Sequence, residues 1–292
     1  MTEQKNSDIG WGMRWPAPAK LNLMLRIVGR REDGYHLLQT VFQIIDITDG
    51  LIFNRTDDSR VRLKNTIPGV REEDDLTVRA ANILKQETGY QGGVCIDIEK
   101  NLPMGGGLGG GSSDAATVLV VLNQLWQLEL TELRLMELGL ALGADVPVFV
   151  KGKSTWAEGV GEKLTPIDLP DAWFVVVKPS CHVDTGKIFS ANDLTRDSKS
   201  IKIAGFNSGD NQNDCLAVVK KHYIEVERAL DELDKYGQAR LTGTGACVFV
   251  QFGDQQSAQY VYDSLVLGRE TYIAQGLAVS PLHKQMSELF NF

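Results

Sequence analysis

A glycine-rich segment in the middle of the chain, residues 102–114, constrains the fold and the chemistry more than any other stretch. It reads Leu-Pro-Met-Gly-Gly-Gly-Leu-Gly-Gly-Gly-Ser-Ser-Asp and leads directly into the apolar run Ala115–Leu122, which predicts a helix. Glycine lets a backbone approach a ligand closely and adopt positive φ angles. The start of a helix adds unpaired N–H groups and the positive end of a dipole. The segment therefore predicts a phosphate-binding loop, with Ser112, Ser113 and Asp114 capping the helix that follows.

Several other interpretations of this segment fit less well. A Walker A loop requires a lysine after its glycines, and here Ser112 follows them. Gly105, Gly107 and Gly110 satisfy the Gly-x-Gly-x-x-Gly spacing, but a dinucleotide-binding unit would return to a second strand, whereas residues 131–140 predict another helix. The segments that accompany the glycine loop of protein kinases do not occur. A flexible linker is disfavoured because the segment separates a strand-like run from an apolar helix.

Charge and cysteine content narrow the function classes. The chain has 30 basic and 38 acidic residues, a net charge of −8, which argues against a nucleic-acid-binding surface. Its four cysteines are scattered without metal-ligand spacing, which is typical of free thiols in a reducing cytoplasm. No apolar run is long enough to span a membrane, and the polar first residues lack the core of a signal peptide. We therefore expect a cytoplasmic protein without nucleic-acid or membrane partners.

Strand-like and helical patterns alternate in both halves of the chain, which predicts a mixed α+β architecture. Residues 19–27 alternate apolar and polar side chains, as a half-buried strand does, and Asp33-Gly34 is a typical hairpin turn. Residues 173–179 predict a buried strand, and residues 76–84 a helix capped by Asp74 or Asp75. The predicted organisation is a mobile segment (1–14), an N-terminal domain (15–160) that carries the phosphate-binding loop, and a C-terminal domain (161–292).

Three segments taken together resemble the motifs of GHMP kinases, a superfamily that phosphorylates small alcohols and related groups with ATP. They are Pro18–Leu23, Pro103–Ser113 and Leu241–Ala246. Within the superfamily, the likeness is greatest to kinases that act on a cytidine diphosphate-linked methylerythritol. It spans the chain from about Trp15 to His283, and its further points are Gly34–His36, Gly143–Phe149 and Ala157–Glu162.

The resemblance implies a fold and a reaction. The expected fold is the two-domain GHMP kinase fold, α+β with mixed sheets, helices packed on them and an active site in the cleft between the domains. The expected reaction transfers phosphate from ATP to the 2-hydroxyl of that alcohol in the non-mevalonate isoprenoid route, giving the 2-phosphate and ADP. Magnesium is expected to accompany ATP. Its ligands are left open, with Ser113 as a candidate, and the protein is expected to be a monomer or a homodimer.

Two residues are expected to act at the reacting hydroxyl. From the residues alone, Asp145 is typical of a turn or cap aspartate and Lys20 of a solvated strand lysine. The resemblance instead places both at the catalytic centre. It implies that Lys20 orients the Asp145 carboxylate and lowers the pKa of the substrate hydroxyl, while Asp145 removes the proton or orients the hydroxyl.

The resemblance also implies two groups of binding residues. The family often has asparagine where this chain has Asp75. Because an aspartate lacks the amide donor, any contact of this residue with adenine must differ from the family's or use the backbone. Phe189 is expected to stack on the base, with Tyr35 and His36 flanking it. The ATP-binding residues are Asp75, Lys100, Pro103, Met104, Gly105, Gly106, Gly107, Leu108, Gly109, Gly110, Gly111, Ser112 and Ser113. The substrate-binding residues are Asn22, Tyr35, His36, Thr185, Phe189, Thr244 and Gly245.

Two alternatives remain open from the sequence. A different GHMP kinase, acting on a mevalonate-pathway alcohol, homoserine or a sugar, would share the glycine loop but need no cytidine pocket. A nucleotide-binding module without turnover would bind ATP and release no ADP with any alcohol.

Overall fold

The computed structural model describes residues 8–207, 209–265 and 269–290. Of the predicted mobile segment, residues 1–7 lie outside the described residues. The residues that follow lie against the fold: the indole Nε1 of Trp15 donates to the carbonyl of Gly10 at 3.1 Å, and the guanidinium of Arg55 lies 4.9 Å from the ring centroid of Trp11. The mobility of this segment stays a prediction.

A long antiparallel hairpin forms the centre of the N-terminal half. Its strands are β1 (Arg14–Arg30) and β2 (His36–Thr56), joined at the predicted Asp33-Gly34 turn. The prediction of a half-buried strand over residues 19–27 is wrong in one respect, because β1 is buried at every position from Trp15 to Ile27. Helices cover one face, and residues of the C-terminal half approach the other. The polar side chains of this strand therefore lie inside the protein.

The remaining strands extend the hairpin into a mixed sheet that continues into the C-terminal half. Strand β10 pairs with β7 over six positions and with β2 at Gly276 and Leu277, so one strand connects the two halves. The predicted boundary after residue 160 falls within the β5–β6 hairpin. The strands are β3 (Val61–Leu63), β4 (Gly93–Glu99), β5 (Thr155–Gly159), β6 (Lys163–Pro166), β7 (Trp173–Lys178), β8 (Arg240–Leu241), β9 (Val248–Phe252) and β10 (Glu270–Leu277).

Helices pack on both halves of this sheet, and the predicted α+β architecture is confirmed. Within the described part of the chain, no helix is long and apolar enough to cross a membrane. The helices are α1 (Leu76–Thr88), α2 (Gly110–Leu125), α3 (Glu132–Leu142), α4 (Val146–Lys151), α5 (Thr185–Ser190), α6 (Ile203–Asn207), α7 (Leu216–His222), α8 (Ile224–Leu233), α9 (Gln255–Ser264) and α10 (Pro281–Phe290).

The apolar patterns explain where these helices lie. Helix α2 carries the run Ala115–Leu122, of which all but Val120 is buried, and it packs in one core with β1, β2 and α1. A second core holds the inner faces of α7, α8 and α9 against β7 and β9. A third joins residues of β1 and β2 to residues of β7 and β9. This third core lies below the glycine loop, because Leu108 belongs to it.

Candidate active site

A cavity of about 850 Å³ lies beside the glycine-rich segment and is lined by residues of both halves of the chain. Most of the predicted site residues contribute to its wall. Ser113, Tyr35 and His36 are the predicted residues that do not line it. Those that do are Lys20, Asn22, Asp75, Lys100, the segment 103–112, Asp145, Thr185, Phe189, Thr244 and Gly245.

The backbone of the glycine loop uses conformations that favour glycine. Gly105, Gly107 and Gly109 have φ angles of +67°, +77° and +76°. Gly109 is the N-cap of α2, and no side chain caps this helix. The prediction that Ser112, Ser113 and Asp114 cap it is wrong, because the left-handed Gly109 turns the chain into the helix before they are reached. Instead, the amides of the first turn, at 110–112, lie at the cavity wall, where a phosphate can accept from them.

Lys20 lies at the base of the cavity and is only 2% exposed. Its Nζ donates to Oδ1 of Asn22 at 2.6 Å and to the carbonyl of Gly107 at 2.9 Å. The same Nζ lies 3.2 Å from Oδ2 of Asp145, whose side chain is 35% exposed. A lysine ammonium has three hydrogens; two of them form these hydrogen bonds, and the contact with Asp145 is an ion pair. The predicted pair of Lys20 and Asp145 is thus in contact, with the lysine buried and the carboxylate open to the cavity.

The local sequence explains the position of Asp145. It is the N-cap of α4, and Pro147 occupies the first turn of that helix, where a proline is tolerated because its missing N–H has no partner to lose. The Asp145 side chain makes no capping hydrogen bond to this helix. It is therefore free to face Lys20 and a bound ligand.

Asn22 connects the two halves of the site. Its Nδ2 donates to Oγ1 of Thr40 at 2.9 Å, and its backbone N–H donates to Oγ1 of Thr242 at 2.9 Å. Thr242 begins the turn that carries Thr244 and Gly245 to the cavity. Both predicted residues of this turn thus lie across from β1, close to the glycine loop.

Lys100 and Asp75 both line the cavity but are engaged within the protein. The Nζ of Lys100 binds the carboxylates of Asp49 and Asp114, the latter at 2.8 Å. Burial raises the pKa of the Asp114 carboxyl to about 7, with Lys100 opposing the shift and Asp49 adding to it. Asp75 is the N-cap of α1, as one of the two predicted cap residues, and accepts from the backbone N–H of Thr77 at 2.8 Å. A direct contact of either residue with adenine stays a prediction.

The residues predicted for the cytidine fall into two groups. Thr185 and Phe189 are on α5 and line the cavity, and Oγ1 of Thr185 lies 2.9 Å from Oγ1 of Thr244. Tyr35 is in the β1–β2 turn with 63% of its surface exposed. His36 stacks on Phe189 with 5.0 Å between ring centroids. The structure therefore brings His36 to the site through Phe189 and leaves Tyr35 outside the cavity wall.

Sequence reasoning missed two contributors to this region. Asp49 is fully buried and accepts from the backbone N–H groups of Asn101 and Leu102 at 2.6 and 2.7 Å, which fixes the start of the glycine-rich segment. His182 lines the cavity beside Gly105, where an added Cβ would lie 2.5 Å from its Nδ1. Neither has a local signal, because a lone aspartate in a strand and a lone histidine in a loop have no distinguishing pattern.

Comparisons with known families agree with this geometry. The model of the GHMP kinases N-terminal domain matches residues 75–153, and that of the GHMP kinases C-terminal domain matches residues 193–266. The chain belongs to the GHMP kinases.

Two relatives with about 50% sequence identity to this chain have the same name. The chain is 53% identical to the 4-diphosphocytidyl-2-C-methyl-D-erythritol kinase of Marinobacter nauticus, over 94% of this chain and 97% of that protein. It is 52% identical to the kinase of the same name from Methylococcus capsulatus, over 94% of this chain and 95% of that protein.

Solved structures have the same fold. A crystal structure of 4-(cytidine 5'-diphospho)-2C-methyl-D-erythritol kinase matches with a TM-score of 0.78 and 31% identity, covering 91% of this chain and all of that one. The mevalonate kinase of Methanococcus jannaschii matches with a TM-score of 0.67, over 92% of this chain and 99% of that one. At 15% identity, this second likeness concerns the fold alone. The two-domain GHMP kinase fold predicted from the sequence is thus confirmed.

Proposed function

We propose that this kinase transfers the γ-phosphoryl group of ATP to the 2-hydroxyl of 4-diphosphocytidyl-2-C-methyl-D-erythritol, in the non-mevalonate route to isoprenoids. The observation that carries the proposal is the contact between buried Lys20 and Asp145 at 3.2 Å, on the wall of the cavity that the glycine loop also lines. The names of the relatives at about 50% identity support the choice of acceptor. The free cysteines of the described structure are compatible with a cytoplasmic enzyme.

The glycine loop would hold the phosphates of ATP. Phosphoryl transfer requires a protein mainly to position its reactants and to neutralise charge. At the cavity wall, the first-turn amides of α2 can position the phosphates, and the positive end of the helix dipole can neutralise part of their charge. Since Lys20 donates to the carbonyl of Gly107 in this loop, the position of the loop and the position of the lysine are coupled.

Lys20 and Asp145 would act on the acceptor. The Asp145 carboxylate is open to the cavity and can accept a hydrogen bond from the reacting hydroxyl, then its proton as the new O–P bond forms. The ammonium of Lys20 keeps this carboxylate oriented and stabilises negative charge on the hydroxyl oxygen. Asn22 holds the ammonium from the opposite side at 2.6 Å. The proton moves to Asp145, and the ADP oxygen retains the electrons of the broken P–O bond.

Magnesium is proposed as the companion of ATP. Across the described residues, no group of three His, Cys, Asp or Glu side chains is placed to hold a metal ion. This sparse donor set fits magnesium, which usually keeps several waters and binds through substrate phosphates. When bound, the ion would neutralise phosphate charge. Ser113 remains the candidate protein ligand; its buried Oγ has no hydrogen-bond partner among the described residues, but the residue does not line the cavity.

On the substrate side, Phe189 and Thr185 of α5 would bind the cytidine, and Thr244 and Gly245 the diphosphate or the alcohol. Phe189 offers an aromatic face on which a base can stack. Tyr35 would flank the base from the β1–β2 turn, next to His36, whose ring stacks on Phe189. Asp75 and Lys100 would lie near the adenine.

Magnesium-dependent ADP release tests the proposal. Wild type, Asp145→Asn and the control Asp97→Asn, which removes a carboxylate paired with Lys64 on the surface, are compared with the cytidine substrate, mevalonate and homoserine. We expect turnover only with the cytidine substrate, a loss of roughly 10²–10⁴-fold in Asp145→Asn and no loss in the control. Better turnover of another alcohol would overturn the proposed acceptor. ATP binding without ADP release would favour a module without turnover.

A further inference from the structure

Arg196 lies after helix α5 and folds back on the end of that helix. Its Nη2 donates to the carbonyls of Phe189 at 3.0 Å and Ala191 at 2.7 Å, and its Nη1 donates to the carbonyl of Leu194 at 3.1 Å. Carbonyls at a helix C-terminus lack intrahelical partners and carry partial negative charge. One guanidinium therefore supplies hydrogen-bond donors to the carbonyls of Phe189 and Ala191 at the end of α5.

The remaining edge of the same guanidinium reaches the other half of the chain. The Nε of Arg196 donates to Nε2 of His36 at 3.2 Å, although the two residues are 160 positions apart in sequence. Because Nε2 accepts this hydrogen bond, it carries no proton, and the His36 ring is the neutral tautomer protonated at Nδ1. Burial lowers the pKa of His36, and the charges of Arg196 and Arg30, the charged groups that act on this ring, lower it further.

His36 is in turn packed against Phe189. Their rings are 5.0 Å apart with an interplanar angle of 27°, a stacked arrangement. Phe189 lines the cavity, and His36 contacts its ring without lining the cavity itself. Arg196 contacts both members, through the ring of His36 and the backbone carbonyl of Phe189.

We propose that Arg196 is a positioning residue for the nucleobase, because it holds His36 against Phe189 and so fixes the Phe189 ring as a stacking face at the cavity wall. The inference rests on the proposed function, since it assumes that a base stacks on Phe189. A face that is ordered before the ligand arrives loses less conformational freedom on binding. Arg196 therefore contributes to acceptor affinity without touching the acceptor or the reacting atoms.

Steady-state kinetics of Arg196→Gln and Arg196→Lys test the inference. We expect KM for 4-diphosphocytidyl-2-C-methyl-D-erythritol to rise roughly threefold to tenfold in Arg196→Gln, the range of an aromatic stacking contact. Neither kcat nor KM for ATP should change by more than about twofold. Arg196→Lys should restore little, because an ammonium lacks the planar fork. The matched control is Arg134→Gln, which removes an arginine paired with Glu87 and Glu137 at the surface.

A double-mutant cycle separates positioning from a general loss of structure. If Arg196 acts through Phe189, then Phe189→Leu and Arg196→Gln should be strongly non-additive in acceptor KM. Additive effects, or an equal rise in KM for ATP, would overturn the inference. In the wild-type protein, ¹⁵N NMR of His36 should report an unprotonated Nε2 at pH 7. A proton on Nε2 would overturn the inference even if the Arg196 variants did not fold.

The outcomes also separate this inference from the proposed function. Wild-type turnover of the cytidine substrate with unchanged acceptor KM in Arg196→Gln would overturn the inference alone. Absence of wild-type turnover with that substrate would overturn both.

Discussion

Lys20 is a charged side chain in the buried stretch of β1, and its surroundings explain how the fold tolerates it. Burying an ammonium without partners would cost several kcal/mol. Here the side chain of Asn22 and the carbonyl of Gly107 accept hydrogen bonds from it at 2.6 and 2.9 Å, and the carboxylate of Asp145 forms an ion pair with it at 3.2 Å. Each partner belongs to a different part of the site. A single lysine thus fixes the relative positions of the acceptor side and the glycine loop.

Replacing Lys20 with methionine should reduce ADP release by at least a hundredfold, because the hydroxyl oxygen loses its stabilising charge and Asp145 its orienting partner. The variant should also be less stable, by about 1–3 kcal/mol, since the oxygens of Asn22 and Gly107 lose their donor. Coupled-assay rates and urea unfolding measure the two effects. Lys64→Met, at a surface pair with Asp97, is the control. Activity within tenfold of wild type would contradict the assigned role of Lys20.

Asp114 gives a pH-dependent prediction. Burial raises the pKa of its carboxyl to about 7 in the folded protein, from 3.8 in the unfolded chain. The folded state therefore keeps a proton that the unfolded state releases, and the associated stability is lost as the pH rises through about 7. In Asp114→Asn this loss should disappear. As the pH rises from 5 to 7, the free energy of unfolding of the variant should increase relative to that of wild type by at most about 1.4 kcal/mol per pH unit.

Urea unfolding of wild type and Asp114→Asn at pH 5, 6, 7 and 8 measures this difference. Asp97→Asn is the control, since Asp97 is paired with Lys64 at the surface. A difference in free energy of unfolding that stays constant with pH would contradict the raised pKa.

At the scale of elements, the glycine loop is held between β1 and the turn 242–245. The backbone N–H of Lys20 donates to the carbonyl of Leu108 at 3.0 Å, and that of Cys247 donates to the carbonyl of Gly106 at 3.0 Å. The loop therefore receives backbone hydrogen bonds from both halves of the chain. Its approach to the turn is so close that a Cβ at Gly107 would lie 2.6 Å from the carbonyl oxygen of Thr242.

Gly107→Ala should therefore damage the site more than an ordinary glycine substitution. Gly107 and Gly89 both have positive φ, +77° and +72°, but an added Cβ at Gly89 meets nothing within 4 Å. Gly89→Ala should lower the free energy of unfolding by about 1–2 kcal/mol, the cost of a left-handed conformation for alanine, and should leave KM for ATP unchanged. Gly107→Ala should lower the free energy of unfolding by more than this. It should also raise KM for ATP at least tenfold, because the backbone at Gly107 or Thr242 must move to admit the Cβ. Equal stabilities and equal KM values for the two variants would contradict this account of the loop.

At the scale of the whole molecule, the two halves are interlocked. Strand β10 pairs with both β2 and β7. On the other side, Leu25 of β1 donates to the carbonyl of Gln212 at 2.9 Å and accepts from the backbone N–H of Asp214 at 2.9 Å. The Asp214 carboxylate accepts from the backbone N–H of Ile27 at 2.7 Å. Backbone pairing between the halves thus borders the cavity that they share.

This interlocking predicts one cooperative unfolding transition. Differential scanning calorimetry should give a calorimetric enthalpy equal to the van't Hoff enthalpy, because neither half can unfold without exposing strand edges of the other. Asp214→Ala should lower Tm, through about 1–3 kcal/mol lost at the unpaired N–H of Ile27, and keep a single transition. Two resolved transitions in the wild type would contradict the prediction.

The features that could be predicted from the sequence are those encoded by neighbouring residues. The glycine loop leading into a helix, the Asp33-Gly34 hairpin and the Asp75 cap depend on local conformation and short-range hydrogen bonds. The capping of α2 was predicted wrongly, because a left-handed glycine ended the loop earlier than the polar residues suggested. The proposed catalytic pair of Lys20 and Asp145 came from the resemblance to GHMP kinases, since the local pattern of Lys20 is that of a solvated strand lysine.

By itself, the sequence determined the α+β class, the glycine loop before α2 and the family, because period-two and helical patterns, glycine spacing and motif order are properties of contiguous residues. The tertiary structure alone decided which polar residues are buried and what they contact. The burial of Lys20, the ion pairs of Lys100 and the contact of Arg196 with His36 join distant segments. Such contacts exist only after β1, the glycine loop and helix α5 have packed around one cavity, since burial and long-range hydrogen bonds are set by packing and leave no local pattern.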